Sequence, residues 1–379
     1  MRLPFNQPFI VGKELYYIAQ AVIAGQLSGN GPFTELCQQR LVEEFGFRKV
    51  LLTHSCTAAL EMSALLCDVG EGDEIILPSF TFVSTANAFA LRGARLKFVD
   101  ICPSNMNIDP DAIRAAVTER TRVICPVHYA GVGCDMEQIM KIARDCGARV
   151  VEDAAQALGS RHGNLPLGGI GHLGALSFHE TKNVISGEGG ALLVNDESLD
   201  ERAEFIWEKG TNRTQFKRGE VDKYTWVDLG SSYLPSELTA AFLYAQLENA
   251  TEINDNRKGA WSRYAAGLSE LVEHRHIEIP HLRHEPVGNG HLFAVITRDS
   301  GTRTRLLEHL TSNGVNAIFH YVPLHSSPMA RKLGYEQPYL PVTDSISARL
   351  VRLPLFFGIT PDEQDVVIDL IYRFFEVTA

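Results

Sequence analysis

Seven short apolar runs constrain the fold of this chain more than any other feature of its sequence. Most are four to six residues long, are rich in Val, Ile and Leu, and lack the polar alternation of a half-exposed strand. Segments with helical spacing lie between them. The order strand, helix, strand predicts an α/β fold with a mostly parallel sheet covered on both faces. The predicted strands are residues 50–53, 74–78, 95–99, 122–127, 149–152, 174–178 and 190–194.

The pattern changes after about residue 234. Two helical segments, 236–248 and 254–272, are followed by a mixture of short apolar runs and helices that ends in a predicted helix over 361–375. A unit of roughly 120 residues is within the usual size of a domain. We therefore predict a large domain over residues 1–250 and a smaller C-terminal α/β domain over residues 251–379.

The charge balance excludes some partners. The chain has 379 residues, with 35 basic and 46 acidic side chains and a net charge of −11, so we expect neither nucleic acid nor an anionic membrane as a partner. No apolar run reaches the roughly 18–20 residues of a membrane span. The first residues lack the features of a signal peptide, and a cytoplasmic location is expected.

Metal binding is not expected either. The seven cysteines are an odd number, include no C-x-x-C pair, and are typical of reduced thiols. Four histidines cluster loosely in a polar region, but their spacing fits no standard zinc site. They are His274, His276, His281 and His284.

A single lysine follows a predicted buried strand in the segment Ser-Phe-His-Glu-Thr-Lys-Asn, residues 177–183. Rigid backbone and partial desolvation at this position would lower the pKa of Lys182, as a lysine that bonds covalently to a carbonyl group requires. A surface lysine in a turn would have the same local sequence. The spacing alone does not decide between the two interpretations.

Two carboxylates end another predicted strand. Val-Val-Glu-Asp-Ala-Ala-Gln, residues 150–156, places Asp153 and Gln156 at the carboxyl end of a parallel strand, where ligands bind in such sheets. Asp153 would hold a cationic ring nitrogen, and Gln156 would reach a phenolic oxygen. The alternative is that Asp153 caps a helix, which is the commoner role of aspartate there.

A phosphate seat is predicted where the first strand ends. Thr-His-Ser-Cys-Thr-Ala-Ala-Leu, residues 53–60, offers hydroxyl groups and the exposed amides of a helix N-terminus. Simple helix capping by Ser55 or Thr57 is the alternative. The segment 78–85 supplies an aromatic side chain, Phe82, at the end of the next strand. A phosphate seat, a carboxylate, an amine and an aromatic ring are the parts of a pyridoxal phosphate pocket.

These motifs resemble, in their order, the pyridoxal-phosphate-dependent aminotransferases of the DegT type that act on nucleotide-linked keto-sugars. The resemblance extends from Pro4-Phe5-Asn6 to Arg352-Leu353-Pro354-Leu355-Phe356. It implies aminotransferase fold type I, with pyridoxal 5'-phosphate as cofactor and pyridoxamine phosphate as intermediate. It also implies L-glutamate as donor, a dTDP-linked keto-sugar as acceptor (dTDP-4-keto-6-deoxyglucose), and a homodimer with shared active sites.

The resemblance assigns roles to individual residues. Lys182 matches the lysine that bonds to the cofactor and then moves a proton as general base. Asp153 matches the partner of the pyridine nitrogen, and Gln156 matches the residue near the ring hydroxyl.

Four further residues match cofactor contacts, and a fifth occupies the position of such a contact but differs from the family. Thr57 and Ala58 match the phosphate-binding turn, Ser177 also reaches the phosphate, and Phe82 stacks on the ring. Ser232 departs from the family, which often has an asparagine of the partner subunit there. Because serine is shorter, that phosphate contact would be lost or replaced through water.

A basic segment over residues 209–223 would bind the two phosphates of a nucleotide sugar. A solvated basic loop is the alternative interpretation. Three further side chains are substrate candidates by position or resemblance: His179, Tyr321 and His325. The candidates of the basic segment are Arg213, Lys217, Arg218 and Lys223.

Overall fold

A computed structural model describes residues 2–280, 288–335 and 338–377. Each of the seven predicted strands is present, and together they form one seven-stranded sheet. Two small sheets accompany it. The strands are β1 (Val50–Thr53), β2 (Glu74–Pro78), β3 (Arg95–Val99), β4 (Thr121–Ile124), β5 (Arg149–Asp153), β6 (Arg161–His162), β7 (Leu165–Pro166), β8 (Leu173–Ser177), β9 (Gly190–Val194), β10 (Ile277–Glu278), β11 (Phe293–Thr297) and β12 (Leu350–Leu353).

The large sheet has the strand order β1-β9-β8-β5-β4-β2-β3. Strand β9 runs antiparallel to β1 and β8, and the other neighbouring pairs are parallel. Burial on both faces explains the unbroken apolar runs. The predicted strand 122–127 is too long: β4 ends at Ile124, shortly before Pro126, whose nitrogen has no hydrogen to donate to a ladder.

The helices cover both faces of the sheet and the second sheet. Several begin at side-chain caps that the sequence places there; for example, the Oγ atom of Ser236 accepts a hydrogen bond from the N–H of Thr239 at the start of α9. The helices are α1 (Glu14–Ala24), α2 (Pro32–Phe45), α3 (Cys56–Leu66), α4 (Val83–Ala90), α5 (Pro110–Ala116), α6 (Met136–Cys146), α7 (Asp200–Trp207), α8 (Arg213–Lys217), α9 (Glu237–Glu248), α10 (Ala250–Gly267), α11 (Ser269–Glu273), α12 (Ser300–Ser312), α13 (Pro328–Lys332), α14 (Pro341–Arg349) and α15 (Pro361–Val377).

One edge of the large sheet collects the functional segments. The carboxyl ends of β1, β2, β5 and β8 point to this edge, and the amino end of β9 reaches it as well. In the ladder, Gly190 pairs with Thr53 and with Ser177. A Cβ atom on Gly190 would lie 2.4 Å from the backbone nitrogen of Cys56, so only glycine lets β9 approach the turn before α3 this closely.

A second core surrounds the antiparallel sheet β10-β11-β12 and consists mainly of residues after Ala260. Leu3 joins this core from the other end of the chain. Helix α10 contributes to two cores. Ile253 packs in the core beside the large sheet, whereas Trp261 packs with β11 in the second core. We propose the domain division at residues 250 and 251, the start of this shared helix.

In the described parts of the chain, no helix combines the length and the apolar character that crossing a bilayer requires.

Candidate active site

Lys182 lies in a tight turn after β8, in which its backbone N–H donates to the carbonyl oxygen of His179 at 2.9 Å. Burial lowers the pKa of Lys182 from its ordinary value of 10.5, because desolvation disfavours the charged ammonium; the positive charge of Arg352 adds to this effect. The nearby acidic groups of Cys56 and Asp153 act in the opposite direction. Lys182 and Asp153 are thus close enough to interact electrostatically.

Asp153 ends β5 and is buried. Its Oδ2 atom accepts a hydrogen bond from the hydroxyl of Thr85 at 2.7 Å, and its Oδ1 atom accepts one from the N–H of Ala155 at 3.1 Å. Both contacts orient the carboxylate without neutralising it. Thr85 was not singled out from the sequence, although it lies in the segment 78–85 that was noted for its aromatic residue.

The neighbouring acid, Glu152, points away from Asp153, as successive residues of a strand do. Its carboxylate accepts hydrogen bonds from the backbone N–H groups of Gly168 (2.9 Å) and Ile170 (2.7 Å) and pairs with the Nε2 atom of His128 at 2.8 Å. Both side chains of the His128–Glu152 pair are fully buried. Glu152 therefore anchors the loop between β7 and β8.

Gln156 connects three parts of the site. Its Oε1 atom accepts a hydrogen bond from the N–H of Ala130 at 2.7 Å, and its Nε2 atom donates to the hydroxyl of Tyr321 at 2.9 Å. Within the described residues this nitrogen makes no second hydrogen bond, so its other N–H can bind a ligand oxygen. Ala130 and Tyr321 have positive φ angles of 58° and 46°, which cost energy in residues other than glycine, so the surrounding structure holds them in place.

The N-termini of two helices meet beside this edge. The Oγ atom of Ser55 caps α3 by accepting from the N–H of Ala58 at 3.1 Å, the capping role raised as an alternative above. The hydroxyl of Thr57 donates to the Oγ atom of Ser84 in the first turn of α4 at 2.7 Å. Phe82 precedes α4, and its side chain is 58% exposed. The positive ends of both helix dipoles favour an anion here.

An asparagine–histidine network joins this edge to the C-terminal unit. The Nδ2 atom of Asn183 donates to the Oδ1 atom of Asn254 at 2.8 Å and to the carbonyl oxygen of Asn289 at 2.9 Å. The side-chain nitrogen of Asn183 donates both of these bonds, so its Oδ1 atom is the acceptor for the Nδ1–H of His291 at 3.0 Å. The neutral form of His291 therefore carries its proton on Nδ1. Burial and the charge of Lys182 lower the pKa of His291 well below 6.5.

Aromatic side chains form one wall of the site. The rings of His320 and Tyr321 stack at 3.6 Å, and the hydroxyl of Tyr129 contacts the Nδ1 atom of His320 at 2.7 Å. The ring of Phe80 meets that of Tyr321 edge-on at 5.4 Å. His320 belongs to a segment whose resemblance to the family placed it at the active site, whereas Tyr129 and the network around Asn289 were not identified as site residues from the sequence.

The other candidates have different surroundings. Ser177 is buried at the end of β8, and its Oγ atom accepts from the N–H of His179 at 3.4 Å. The side chain of His179 is 40% exposed and contacts Thr181. His325 is buried, with its Nδ1 atom 2.7 Å from the Oγ atom of Ser79. Its described contacts tie the loop after β2 to the C-terminal unit.

The basic segment is partly neutralised by its own neighbours. Arg218 donates to Glu204 at 2.9 Å and to Glu220 at 2.7 Å, and Lys217 donates to the carbonyl oxygen of Asn30 at 2.9 Å. Two members keep more freedom: Arg213 lies 3.8 Å from Glu208, and Lys223 is exposed. Ser232 is exposed and pairs through its backbone with Glu208.

Two members of the histidine cluster, His281 and His284, lie outside the described residues. Among the residues that the structure describes, there is no group of three or more His, Cys, Asp or Glu side chains suited to a metal ion. The seven cysteines are unpaired.

The residues at this edge fit pyridoxal phosphate. Helix N-termini beside hydroxyl groups suit a phosphate, a buried and oriented carboxylate suits a protonated ring nitrogen, and an amide N–H of Gln156 is free for a phenolic oxygen. A lysine of lowered pKa lies at the same edge.

A mostly parallel sheet with these groups at its carboxyl edge defines a protein of the aminotransferase class. Residues 9–372 match the DegT/DnrJ/EryC1/StrS aminotransferase family, and the chain belongs to that family.

Relatives and solved structures agree with this assignment. The chain is 31% identical over 376 residues to protein MJ1066 of Methanocaldococcus jannaschii, and 29% identical over 377 residues to the spore coat polysaccharide biosynthesis protein SpsC of Bacillus subtilis. Each comparison covers 97% of this chain and 96% of the relative.

Two solved structures superpose over almost the whole chain. The aminotransferase TlmJ of Streptoalloteichus hindustanus has a TM-score of 0.90 and 27% identity, with all of both chains covered. NtdA of Bacillus subtilis, whose structure holds the cofactor PMP, has a TM-score of 0.88 and 28% identity, covering 99% of this chain and 86% of NtdA. The predicted aminotransferase fold is confirmed. The expected cofactor, pyridoxal phosphate with its pyridoxamine form, is confirmed at the level of the family.

Proposed function

We propose that this chain moves an amino group from L-glutamate to C4 of dTDP-4-keto-6-deoxy-D-glucose. The products would be dTDP-4-amino-4,6-dideoxy-D-galactose and 2-oxoglutarate. The observation that carries an amino-transfer function is that Lys182, an amine of lowered pKa, lies at the same sheet edge as the oriented carboxylate of Asp153. A catalytically inactive relative would be expected to lack one of these two groups.

Bound pyridoxal phosphate supplies an electron sink that stabilises the negative charge left when a proton leaves the donor carbon. The carboxylate of Asp153 keeps a proton on the ring nitrogen, and the free N–H of Gln156 binds the ring oxygen. With the cofactor bound, the Nζ atom of Lys182 would take the proton from the donor carbon and hold it for return, because its lowered pKa leaves more of the amine neutral. In the second half of the reaction, Lys182 would move a proton in the opposite direction while the amino group taken from the donor passes to the keto-sugar.

The specific sugar rests on sequence resemblance. Residues 78–89, 126–131, 151–156, 178–183 and 209–232 resemble dTDP-4-amino-4,6-dideoxygalactose transaminase of enterobacterial common antigen synthesis. Relatives named for polysaccharide biosynthesis, such as SpsC, support a sugar acceptor. The alternatives within the family are the C4 epimer and a C3-amino sugar, because which face of the sugar meets the cofactor decides the product.

The test is an assay of the holoenzyme with L-glutamate and dTDP-linked 3-keto and 4-keto sugars, with the product analysed by NMR. An axial amine at C4 is the expected result. An equatorial amine or a C3 product would assign one of the alternatives.

The Lys182→Ala variant tests the mechanism itself. We expect this variant to lose turnover, because the described residues offer no other lysine at this edge of the sheet. An unaltered rate of turnover would refute the role of Lys182. Its structural control is retention of the wild-type circular dichroism spectrum.

We also propose a homodimer with shared sites, in which Ser232 of one subunit approaches the cofactor phosphate of the other. Large apolar side chains near Ser232 are strongly exposed: Trp226 by 75%, Leu229 by 56% and Tyr224 by 52%. A second copy of the chain would remove this surface from water. Sedimentation equilibrium is expected to give a dimer, and a monomer at micromolar concentration would contradict the proposal.

A further inference from the structure

The chain around Lys182 is held unequally on its two sides. On the N-terminal side, backbone hydrogen bonds fix the turn: the N–H of Lys182 donates to the carbonyl oxygen of His179 at 2.9 Å, and the N–H of Glu180 donates to that of Gly187 at 2.8 Å. The C-terminal flank, residues 183–185, makes no backbone–backbone hydrogen bond within the part of the chain that the structure describes. The direction in which Lys182 leaves the turn therefore depends on other contacts of this flank.

The side chain of Asn183 supplies those contacts. It is buried, and its Nδ2 atom donates to the Oδ1 atom of Asn254 at 2.8 Å and to the carbonyl oxygen of Asn289 at 2.9 Å. Its Oδ1 atom accepts from the Nδ1–H of His291 at 3.0 Å. Three hydrogen bonds thus converge on the residue directly after Lys182, and among the described residues they are the only ones that the C-terminal flank makes.

The rest of the C-terminal flank is apolar. Val184 and Ile185 are buried, but apolar packing is not directional. Hydrogen bonds have preferred distances and angles, so the three bonds of Asn183 decide how the backbone beside Lys182 is oriented.

The orientation of the Asn183 amide is itself decided by its partners. The carbonyl oxygen of Asn289 can only accept a hydrogen bond, so the Nδ2 atom of Asn183 must face it. The Oδ1 atom then faces His291, which binds it only while Nδ1 carries a proton. Burial and the charge of Lys182 lower the pKa of His291 well below 6.5, so the neutral ring has one proton to place. A proton on Nε2 instead would leave two acceptors facing each other.

The network joins Lys182 to the C-terminal unit. Asn289 and His291 belong to the segment that enters β11, whereas Lys182 follows β8 of the large sheet. Lys182, Asn183, Asn289 and His291 also line a common cavity of about 10 Å³, which is close to the space that one water molecule needs. The two units therefore meet directly beside the lysine, and a displacement of β11 would reach Lys182 through Asn183.

We propose that Asn183 is a positioning residue that directs the amine of Lys182 toward the atoms between which it moves a proton, and that His291 acts through Asn183 as its hydrogen-bond donor. This inference rests on the proposed function. Lys182 moves a proton in both half-reactions, so a loss of positioning should slow both of them. It should lower the rate of proton transfer and leave substrate binding almost unchanged.

Four variants test this arrangement. Asn183→Ala removes all three hydrogen bonds. His291→Asn keeps an N–H donor near the position of Nδ1, His291→Gln places its donor near the position of Nε2, and His291→Leu has no donor. The control is His172→Leu, because the Nδ1 atom of His172 accepts from the N–H of Val150 at 2.9 Å, near the amino ends of β5 and β8 and away from Lys182.

The two half-reactions are measured separately in each variant. The donor half-reaction mixes the pyridoxal form with L-glutamate, and the acceptor half-reaction mixes the pyridoxamine form with the keto-sugar. Both are followed by the visible absorbance of the cofactor.

We expect Asn183→Ala to lower the rate constants of both half-reactions by about 100-fold, because a displacement of about 1 Å costs about that much. His291→Leu and His291→Gln should each lose about 10-fold, which corresponds to one hydrogen bond. His291→Asn should stay within about 3-fold of the wild type, since it keeps that bond. The KM for L-glutamate should change little in any variant, and His172→Leu should react like the wild type.

L-Glutamate deuterated at Cα separates positioning from a general loss of structure. Slower proton transfer raises the ratio of the rates with ordinary and deuterated donor, so Asn183→Ala and His291→Leu should show a larger ratio than the wild type. A smaller folded fraction lowers both rates equally. Losses that follow the folded fraction and leave this ratio unchanged would overturn the proposal.

Cofactor-free protein gives a readout that is independent of turnover. The rate at which an amine-specific acylating reagent modifies Lys182, measured by mass spectrometry as a function of pH, gives the pKa of this amine. Release of the C-terminal flank admits water to Lys182, so its pKa should rise toward 10.5 in Asn183→Ala and His291→Leu. It should stay lowered in His291→Asn and in His172→Leu.

The two amide variants of His291 decide which nitrogen acts. Wild-type behaviour of His291→Asn with a loss in His291→Gln supports the connection through Nδ1 and Asn183. The opposite result would mean that Nε2 acts on Lys182 across their common cavity, and it would overturn the proposal. If Asn183→Ala does not fold, this comparison decides the test.

Failure of the proposed function gives a different result. A wild type that reacts with L-glutamate but not with the keto-sugar would refute the proposed acceptor, while the donor half-reaction still tests Asn183. A wild type that reacts with neither would refute the proposed function. The pKa of Lys182 in cofactor-free protein would then decide: a raised value in Asn183→Ala supports the positioning role, and an unchanged value overturns it.

Discussion

Replacing Asn289 with alanine is expected to lower the free energy of unfolding by about 3 kcal/mol. The side chain is 1% exposed. Its Nδ2 atom donates to the carbonyl oxygens of Gln156 at 3.0 Å and Leu158 at 2.9 Å, and its Oδ1 atom accepts from the N–H of His291 at 3.1 Å. A hydrogen bond contributes about 0.5–1.5 kcal/mol net, so three of them give about 1.5–4.5 kcal/mol. The substitution also frees the backbone that presents Gln156, so cofactor affinity should fall as well.

The assay is urea denaturation of the cofactor-free protein, with the slope of the transition compared between variants to show that the unfolded state is unchanged. Asn249→Ala is the matched control, because the Nδ2 atom of Asn249 makes one hydrogen bond, to the carbonyl oxygen of Ala245 at 2.9 Å. Asn249→Ala should lower the free energy of unfolding by about 1 kcal/mol. If Asn289→Ala costs no more than this control, Asn289 does not join the two units as described.

Two further predictions concern Asp153 and Lys182. Thr85→Val should weaken pyridoxal phosphate binding by about 10-fold, since it removes one of two donors that orient the Asp153 carboxylate. A fluorescence titration measures the affinity, with the exposed variant Thr304→Val as control. A loss of affinity no larger than that of the control would contradict the prediction. The pKa of Lys182 is lower in the folded state than its ordinary value of 10.5. Between the folded-state pKa and 10.5, the unfolded chain therefore binds more protons than the folded chain, and the free energy of unfolding rises with pH. Cofactor-free Lys182→Met should therefore be more stable than the wild type at pH 7, with the difference shrinking toward pH 10.5; a difference in urea midpoint that does not change with pH would refute this.

The large sheet was predictable because its signal is local. An apolar run such as Gly190–Val194 carries its own strand signal, since both faces of the strand are buried. The reversed direction of β9 was not predictable, because strand direction depends on the path of the chain between strands. Strand β12 was missed because Leu350–Leu353 is only four residues long and the charged Arg352 interrupts its apolar run.

The candidate site was predictable in part. Lys182, Asp153 and Gln156 follow buried strands, and parallel strands bring their carboxyl ends to one edge. Their partners are distant in sequence: Thr85 is 68 residues from Asp153, and Asn289 is 133 residues from Gln156. Periodicity reports on neighbours along the chain, so it contains no information about such pairs.

The two acids at the end of β5 have different surroundings only because successive residues of a strand face opposite sides of the sheet. Glu152 and Asp153 carry the same chemical group, yet the pleat directs Glu152 to the loop that it anchors and Asp153 to the candidate site. A shift of one residue in the pairing of β5 would exchange them. The site would then receive a carboxylate that is one methylene longer, and the loop before β8 would lose the reach that its amide groups require. A single-residue deletion within β5 would thus damage both places at once, although it would remove neither kind of side chain.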